Sequence, residues 1–414
     1  MLKDQIATFL KEQAVEPDNF KIGTRFAHVL VRVGDLTAVP YEGDDGIASL
    51  LEYMERNDWQ GIYENDEIIG VRKGMATVLL LAGGQVELQI EKSDSLQQID
   101  KTYLDFLQSI MAELEDRKQI LLAVGYQPVT KAEDIPVVPM AKHQMMTAYL
   151  ADNKSGLEFE KAAAPLTVII DYAHSDDFEK KYRVATVLAP AFAALFDNTA
   201  MWGGQTYDGF CGTAKLRNAS NKKLTYVPNV LTEGAYKFGQ YADMIAKMPA
   251  VALAQGEEIM YVGDQSNEEA FAGREVSADD IAGMLNMCQA DVRATAEGIE
   301  LRMTDSLPYP LNMAFIAMVK GLFYNPEQLD AAYEYAGGFK QFDIDAIKLA
   351  IVEKGMEAKY GEGAIADLVK DLLFMATPYL PQFEQHYLQP LDAVIFKGIT
   401  PKKVTARQLK AMLD

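Results

Sequence analysis

The side chains best suited to chemistry are spread along this chain. His28, His143, His174 and His386 are the only histidines, and none has a second ligand at the short spacing a transition-metal site needs, so each reads as a surface or satisfied core residue. Cys211 sits in a small-residue loop, Asp208-Gly209-Phe210-Cys211-Gly212, a place where a nucleophile could be exposed. No His or basic cluster adjoins it to lower its pKa, and a small buried or loop residue is the simpler reading. Met145, Met146, Met284, Met287 and Met375 fit helical core stripes, not a metal box.

Composition narrows the classes. The 414 residues, 49% of them hydrophobic, suffice for a large core. Sixty acidic against 39 basic residues give a net charge of -21, a field that opposes nucleic acid and anionic lipid. Cys211 and Cys288 are the only cysteines and form no CxxC, which favours a reducing, cytoplasmic setting over a disulfide framework. The N-terminus starts an amphipathic helix, and no apolar run approaches the ~18 residues of a membrane span, so neither signal peptide nor membrane is expected.

Periods of 2 and 3.6 alternate without a regular strand-helix repeat, which predicts α+β. The pattern places helices over Leu2 to Val15, Gly46 to Asn57, Ser93 to Asp116 (capped by Ser93 or Asp94) and from Asp176 or Asp177 to about Phe196. It places strands over Lys21 to Val33, Gly61 to Tyr63, Glu67 to Arg72, Thr77 to Ile90, Gln119 to Tyr126, Val168 to Tyr172 and Ile299 to Met303. The rest is expected to be mostly helical, including 325–414, with the whole chain a single unit free of repeats or linkers. The basic tail after Ile399 reads as a solvated terminal helix.

Several collinear segments then matter together: Ile22-Gly23-Thr24, Asp66-Glu67-Ile68-Ile69-Gly70, Gly83-Gly84-Gln85-Val86-Glu87-Leu88, Gly125-Tyr126-Gln127-Pro128, Glu133-Asp134-Ile135-Pro136, and Ile299-Glu300-Leu301-Arg302. Tyr182-Arg183, Leu195-Phe196 and Asn198 fit between the last two. In order and spacing they resemble the plant-type glutamate-cysteine ligase family of glutamine-synthetase-like carboxylate-amine ligases. The resemblance implies a curved antiparallel sheet forming a funnel, with helices packed behind it and the active site inside. It also implies ATP and Mg2+ as cofactors and a small amino acid as substrate. In that chemistry glutamate's γ-carboxylate takes phosphate from ATP and an amine displaces it. Magnesium held on carboxylates, with Arg or Lys, neutralises the phosphate oxygens.

Against the family pattern this chain lacks key acids. The family's opening strand reads Ile-Gly-Thr-Glu-x-Glu, and here Arg25 and Ala27 occupy the two Glu positions. Leu81 stands where the Gly-Gly strand carries its first Glu, Thr167 and Ile169 replace an inward Gln and Asn, and Ala162 aligns with an Arg. The resemblance leaves Glu87 and Glu300 as metal candidates, with Asp305 and, behind them, Asp171. Arg302, Lys215 and Lys223 are the candidates for phosphate, with Arg217 in the same loosely aligned loop. Arg25, Gln85, Trp202 and Asn198 are the candidates for substrate, Trp202 opening a Gly203-Gly204-Gln205 segment that is either a mobile loop or a tight turn. Glu158 and Glu160, alternating on a strand entering Ala162, could replace lost ligands if they face inward; exposed edge acids are the commoner case.

Arg25 enters the funnel where the family has an acid, so an ion pair from Arg25 to Glu87 or Glu300 is expected in place of the metal. The leading expectation is a ligase-like protein with an eroded Mg-ATP site, a pseudoenzyme or non-canonical ligase subunit, as a homo-oligomer or beside a partner ligase. The alternatives are an active γ-glutamyl ligase of altered metal site and substrate, and a protein that binds an amino acid or peptide in the same funnel.

Overall fold

Alternation along Ile22–Arg32 (β1) puts Phe26 and His28 on one face and Arg25 and Ala27 on the other, and this strand lies inside a nine-stranded sheet. The computed structural model describes residues 1–228, 230–231, 236–255 and 258–413. Apart from two hairpins of two-residue strands (Met201–Trp202 with Gln205–Thr206, and Lys359–Tyr360 with Gly363–Ala364), the other strands are β2 (Gln60–Glu64), β3 (Glu67–Lys73), β4 (Ala76–Leu80), β5 (Val86–Ser93), β6 (Gln119–Leu122), β7 (Pro165–Ile170), β8 (Pro249–Gln255), β9 (Glu258–Ser266), β10 (Val292–Thr295) and β11 (Gly298–Asp305). The sheet order is β10-β11-β7-β1-β5-β4-β3-β2, with β6 pairing the second half of β1. Every pairing in it is antiparallel, so the expected α+β class with an antiparallel sheet holds.

Helices cover one face. Phe26 packs on Tyr103 of the helix Leu96–Asp116 with ring centroids 4.7 Å apart, and His28 Nε2 lies 3.1 Å from the Tyr103 hydroxyl. Burial pushes the His28 imidazole down to about 4, so it is a neutral core residue. Val168 and Ile170 of β7 and Leu301 of β11 face the same core, which is shared with the helix Ser175–Leu195. Among the described residues no helix is long and apolar enough to cross a membrane.

Several expected boundaries change. The span Thr77 to Ile90 is two strands, because Gly84 N–H donates to Leu81 C=O (2.9 Å) and Leu81 N–H to Gln85 C=O (3.0 Å), closing a hairpin at Leu81–Gln85. Gly84 has φ +81°, a conformation that favours glycine. The helix after β5 is capped by Ser95, whose side chain accepts from Gln98 N–H, and not by Ser93 or Asp94. His174, not an aspartate, caps Ser175–Leu195 through its ring nitrogen. Glu158 and Glu160 are helical, in Lys154–Ala162, a helix started by the Asn153 side chain accepting from Gly156 N–H. The β8–β9 hairpin falls where mostly helix was expected.

Beyond residue 325 the helices are Pro326–Ala336, Gln341–Lys354, Ile365–Ala376, Pro390–Ile395 and Pro401–Leu413. The last is less solvated than its charge suggested. Thr405 and Leu409 are buried, Lys402 N–H donates to Asp197 C=O (3.2 Å), and the Thr405 hydroxyl donates to Asn198 Oδ1 (2.6 Å).

Candidate active site

The face of the sheet opposite the helices holds a cavity of about 340 Å³. Arg25 enters it from β1, Glu87 and Gln89 from β5, Thr167 from β7, Arg293 from β10 and Arg302 from β11. Helices supply the remaining wall, including His143 and Glu160.

Its polar centre is an ion cluster built across three strands. Register pairs Arg25 with Thr167, while Glu300 pairs with Ile169 on the other side of β7. The Arg25 side chain therefore reaches over β7, placing Nη1 2.9 Å from Glu300 Oε1 and Nη2 2.6 Å from Glu297 Oε1. The second oxygen of Glu300 accepts from Arg293 Nε at 2.6 Å, and Arg293 Nη1 also donates to the carbonyls of Asn286 (2.6 Å) and Cys288 (3.1 Å). Burial would raise the Glu300 carboxyl, but Arg25, Arg293 and Arg302 outweigh it and hold it down at about 2. Burial opposes the charge on Arg25, and Glu300, Glu297 and Glu87 reverse that, raising its pKa overall.

Arg302 is less well matched. Among the described residues its one side-chain hydrogen bond runs from Nη1 to Cys288 C=O, at 3.5 Å. Burial, and then the Arg293 charge, lower it to about 9 against the pull of Glu300. Glu87 Oε1 accepts from Gln89 Nε2 at 2.7 Å. Glu160 lies 3.2 Å from His143 Nδ1 and accepts from Gln289 Nε2 at 3.3 Å. Burial raises the Glu160 pKa, but His143, Arg302 and Lys142 outweigh it. His143 Nε2 also faces the Leu80 carbonyl at 3.2 Å.

These donors do not fit magnesium. Both Glu300 oxygens face guanidinium groups, Glu87 is tied to an amide, and among the described residues no three His, Cys, Asp or Glu side chains converge to hold a metal ion. A divalent cation here would also meet three guanidinium groups.

Several expected site residues lie elsewhere. Lys215 is exposed on the helix Gly212–Ala219, and Lys223 is exposed and paired with Asp264 at 2.7 Å, so neither reaches the cavity. Arg217 is buried but bound to Asp291 and to the Arg302 carbonyl. Gln85 braces the hairpin, accepting from Gly83 N–H and donating to Ala163 C=O. Trp202 lies in a two-residue strand and stacks on Tyr126 at 4.4 Å. Asn198 is fully buried and donates to the carbonyls of Ala123 and Ser306, both at 2.8 Å. Asp171 pairs with Lys92 just past the end of β7, outside the cavity lining, and Asp305 accepts from Asn198 N–H and the hydroxyls of Thr199 and Thr213. Cys211 is buried with its thiol pKa raised by burial, unsuited to a nucleophile. Sequence reasoning missed Arg293 and Glu297; the signal for them was the short Ala296-Glu297-Gly298 turn that makes β10 and β11 a hairpin.

An antiparallel sheet with a charged cavity on one face and helices on the other is the arrangement that the resemblance to the carboxylate-amine ligases implied. Residues 28–343 match the glutamate-cysteine ligase family 2 (GCS2), and the chain belongs to that family. It is 24% identical over 413 residues to the chloroplastic glutamate-cysteine ligase of Arabidopsis thaliana, covering 97% of this chain and 78% of that one. Against chloroplastic glutamate-cysteine ligase B of Oryza sativa subsp. japonica it is 24% identical over 418 residues, with 97% and 82% covered. The fold resembles the crystal structure of glutamate-cysteine ligase from Francisella tularensis in complex with AMP, with a TM-score of 0.56 at 12% identity, covering 95% of this chain and 84% of that one.

Proposed function

We propose that this member of an ATP-dependent ligase family is a pseudoenzyme, in which an internal ion cluster stands where its relatives would place a metal. The observation that carries this is the Glu300 carboxylate, 0% exposed and met on both oxygens by Arg25 and Arg293. Phosphoryl transfer in this chemistry uses magnesium held on carboxylates, and among the described residues no carboxylate cage stands in the cavity to hold it, while Lys215 and Lys223 lie outside it. Such a chain acts by binding, as a ligand-holding protein or as a non-catalytic subunit beside an intact ligase. The two buried thiols suit a reducing, cytoplasmic setting.

A second reading, an active ligase of altered metal site and substrate, draws on one observation: Glu160 reaches the same cavity as Glu87. Calorimetric titration with ATP and magnesium, with and without glutamate, followed by phosphate release, separates the two. The pseudoenzyme shows no magnesium-dependent ATP binding and no phosphate release. Turnover on adding glutamate and an amine would establish the second reading.

A further inference from the structure

The helix Gln341–Lys354 is apolar on two faces. Ile344, Ile347 and Ile351 are buried, and Lys348 ties the helix to Asp291 at 2.6 Å. On the opposite face Phe342, Ala346 and Leu349 fall at positions i, i+4 and i+7, one stripe along the helix, and all three are exposed. Phe342 and Leu349 are each 68% exposed, more than any other large apolar side chain but Met1 among the described residues. A helix apolar on two sides is normally covered on both.

Charge also singles out this segment. Residues 340–354 hold Lys340, Lys348 and Lys354 against Asp343, Asp345 and Glu353, a balance of zero in a chain whose net charge is -21. Two copies of so acidic a chain repel one another, and they do so least where the facing surfaces are neutral. Lys340 precedes the helix, and Glu353, four residues after Leu349, continues the stripe to its far end. Both are exposed, with no oppositely charged group within 4 Å among the described residues.

We propose that this stripe is the contact between two copies of the chain, their helices packed antiparallel about a two-fold axis beside Ala346. Phe342 of one copy then packs on Leu349 of the partner subunit, and the reverse, because the two positions are equidistant from the point between Asp345 and Ala346. Ala346, the small residue next to the axis, lets the helices approach closely. Glu353 arrives at the start of the facing helix, where the N–H ends carry partial positive charge and Lys340 stands, and symmetry makes that contact twice. A parallel pair would set Glu353 against its own copy. The contact is independent of whether the cavity turns over ATP.

Sedimentation velocity of the full chain from about 1 to 100 μM tests it. A dimer forming in the micromolar range is expected, in keeping with a contact built mainly from one helix face. Leu349→Glu and Phe342→Glu, both at exposed positions, should each weaken the dimer at least about tenfold. Ala346→Cys should give a disulfide-linked dimer on mild oxidation and the parent should not, since Cys211 and Cys288 are buried. A parent chain that stays monomeric at about 100 μM overturns the proposal and leaves the stripe to a different protein; that measurement uses the unaltered protein and stands even if a variant misfolds. A dimer untouched by Leu349→Glu places the contact elsewhere on the molecule and overturns it as well. Failure of Ala346→Cys to cross-link a dimer that Leu349→Glu does break overturns the two-fold antiparallel packing.

Discussion

Arg25 and Glu300 lie on strands that are not neighbours, yet Nη1 of one is 2.9 Å from Oε1 of the other because the side chain crosses over β7. A contact of that kind ties three strands together and puts a guanidinium at the centre of the cavity.

Replacing Arg25 with Met should cost about 2 kcal/mol in urea denaturation, below the roughly 3–5 of a fully orphaned buried charge, because Glu300 keeps Arg293. The effect should persist in high salt, since the Glu300 side chain is 0% exposed and its pair is poorly screened. An equal-stability variant would show that the pair does not hold the strands.

Glu300 should make the fold acid-sensitive. Its folded pKa, about 2, is below the ordinary value of 4.5, so its contribution is present above about pH 4.5 and is lost as pH falls toward 2. Glu300→Gln should be less stable than the parent by on the order of 3 kcal/mol at pH 7, with the difference closing as the pH drops. Thermal melts of both proteins between pH 7 and 2 provide the check.

Asp197 should act in the opposite sense. Burial and the Asp305 charge raise it from 3.8 to about 7, so its contribution is present below about pH 3.8 and is lost as pH rises through 7. Asp197→Asn, which can keep the contact from Thr199 N–H, should gain on the parent in melting temperature between pH 6 and 8. Parallel pH profiles would remove Asp197 from the account.

Gly83 holds its place for want of space. A Cβ there would sit 1.9 Å from the Lys161 carbonyl, so Gly83→Ala should cost about 3 kcal/mol by chemical denaturation. A neutral substitution would mean the hairpin can lift off the Lys154–Ala162 helix freely.

The sheet and its main helices were legible because period-two alternation and apolar stripes mark elements with one buried face. Arg25 facing the cavity followed from the same rule, since a slip by one residue would have put Phe26 there. What failed has physical causes. Leu79 to Leu88 reads as one strand because Leu81 and Ala82 continue the apolar pattern through a turn that only the glycine pair betrays. Glu158 and Glu160 alternate in sequence, but Asn153 starts a helix ahead of them, and helical pitch sends Glu160 to the cavity while Glu158 pairs with Lys154. Lys215 and Lys223 lie in a segment that aligns only loosely with the family pattern, where sequence says little about the direction of a side chain.

The bond from Thr405 to Asn198 joins residues 207 positions apart. Asn198 also steadies the segment after β6 and the turn after β11, so this junction takes its final packing only when the helix Pro401–Leu413 docks. On the ribosome, the sheet can be fully synthesised and still lack that brace, and the amide oxygen of Asn198 is left for water or a chaperone until roughly a hundred further residues have emerged.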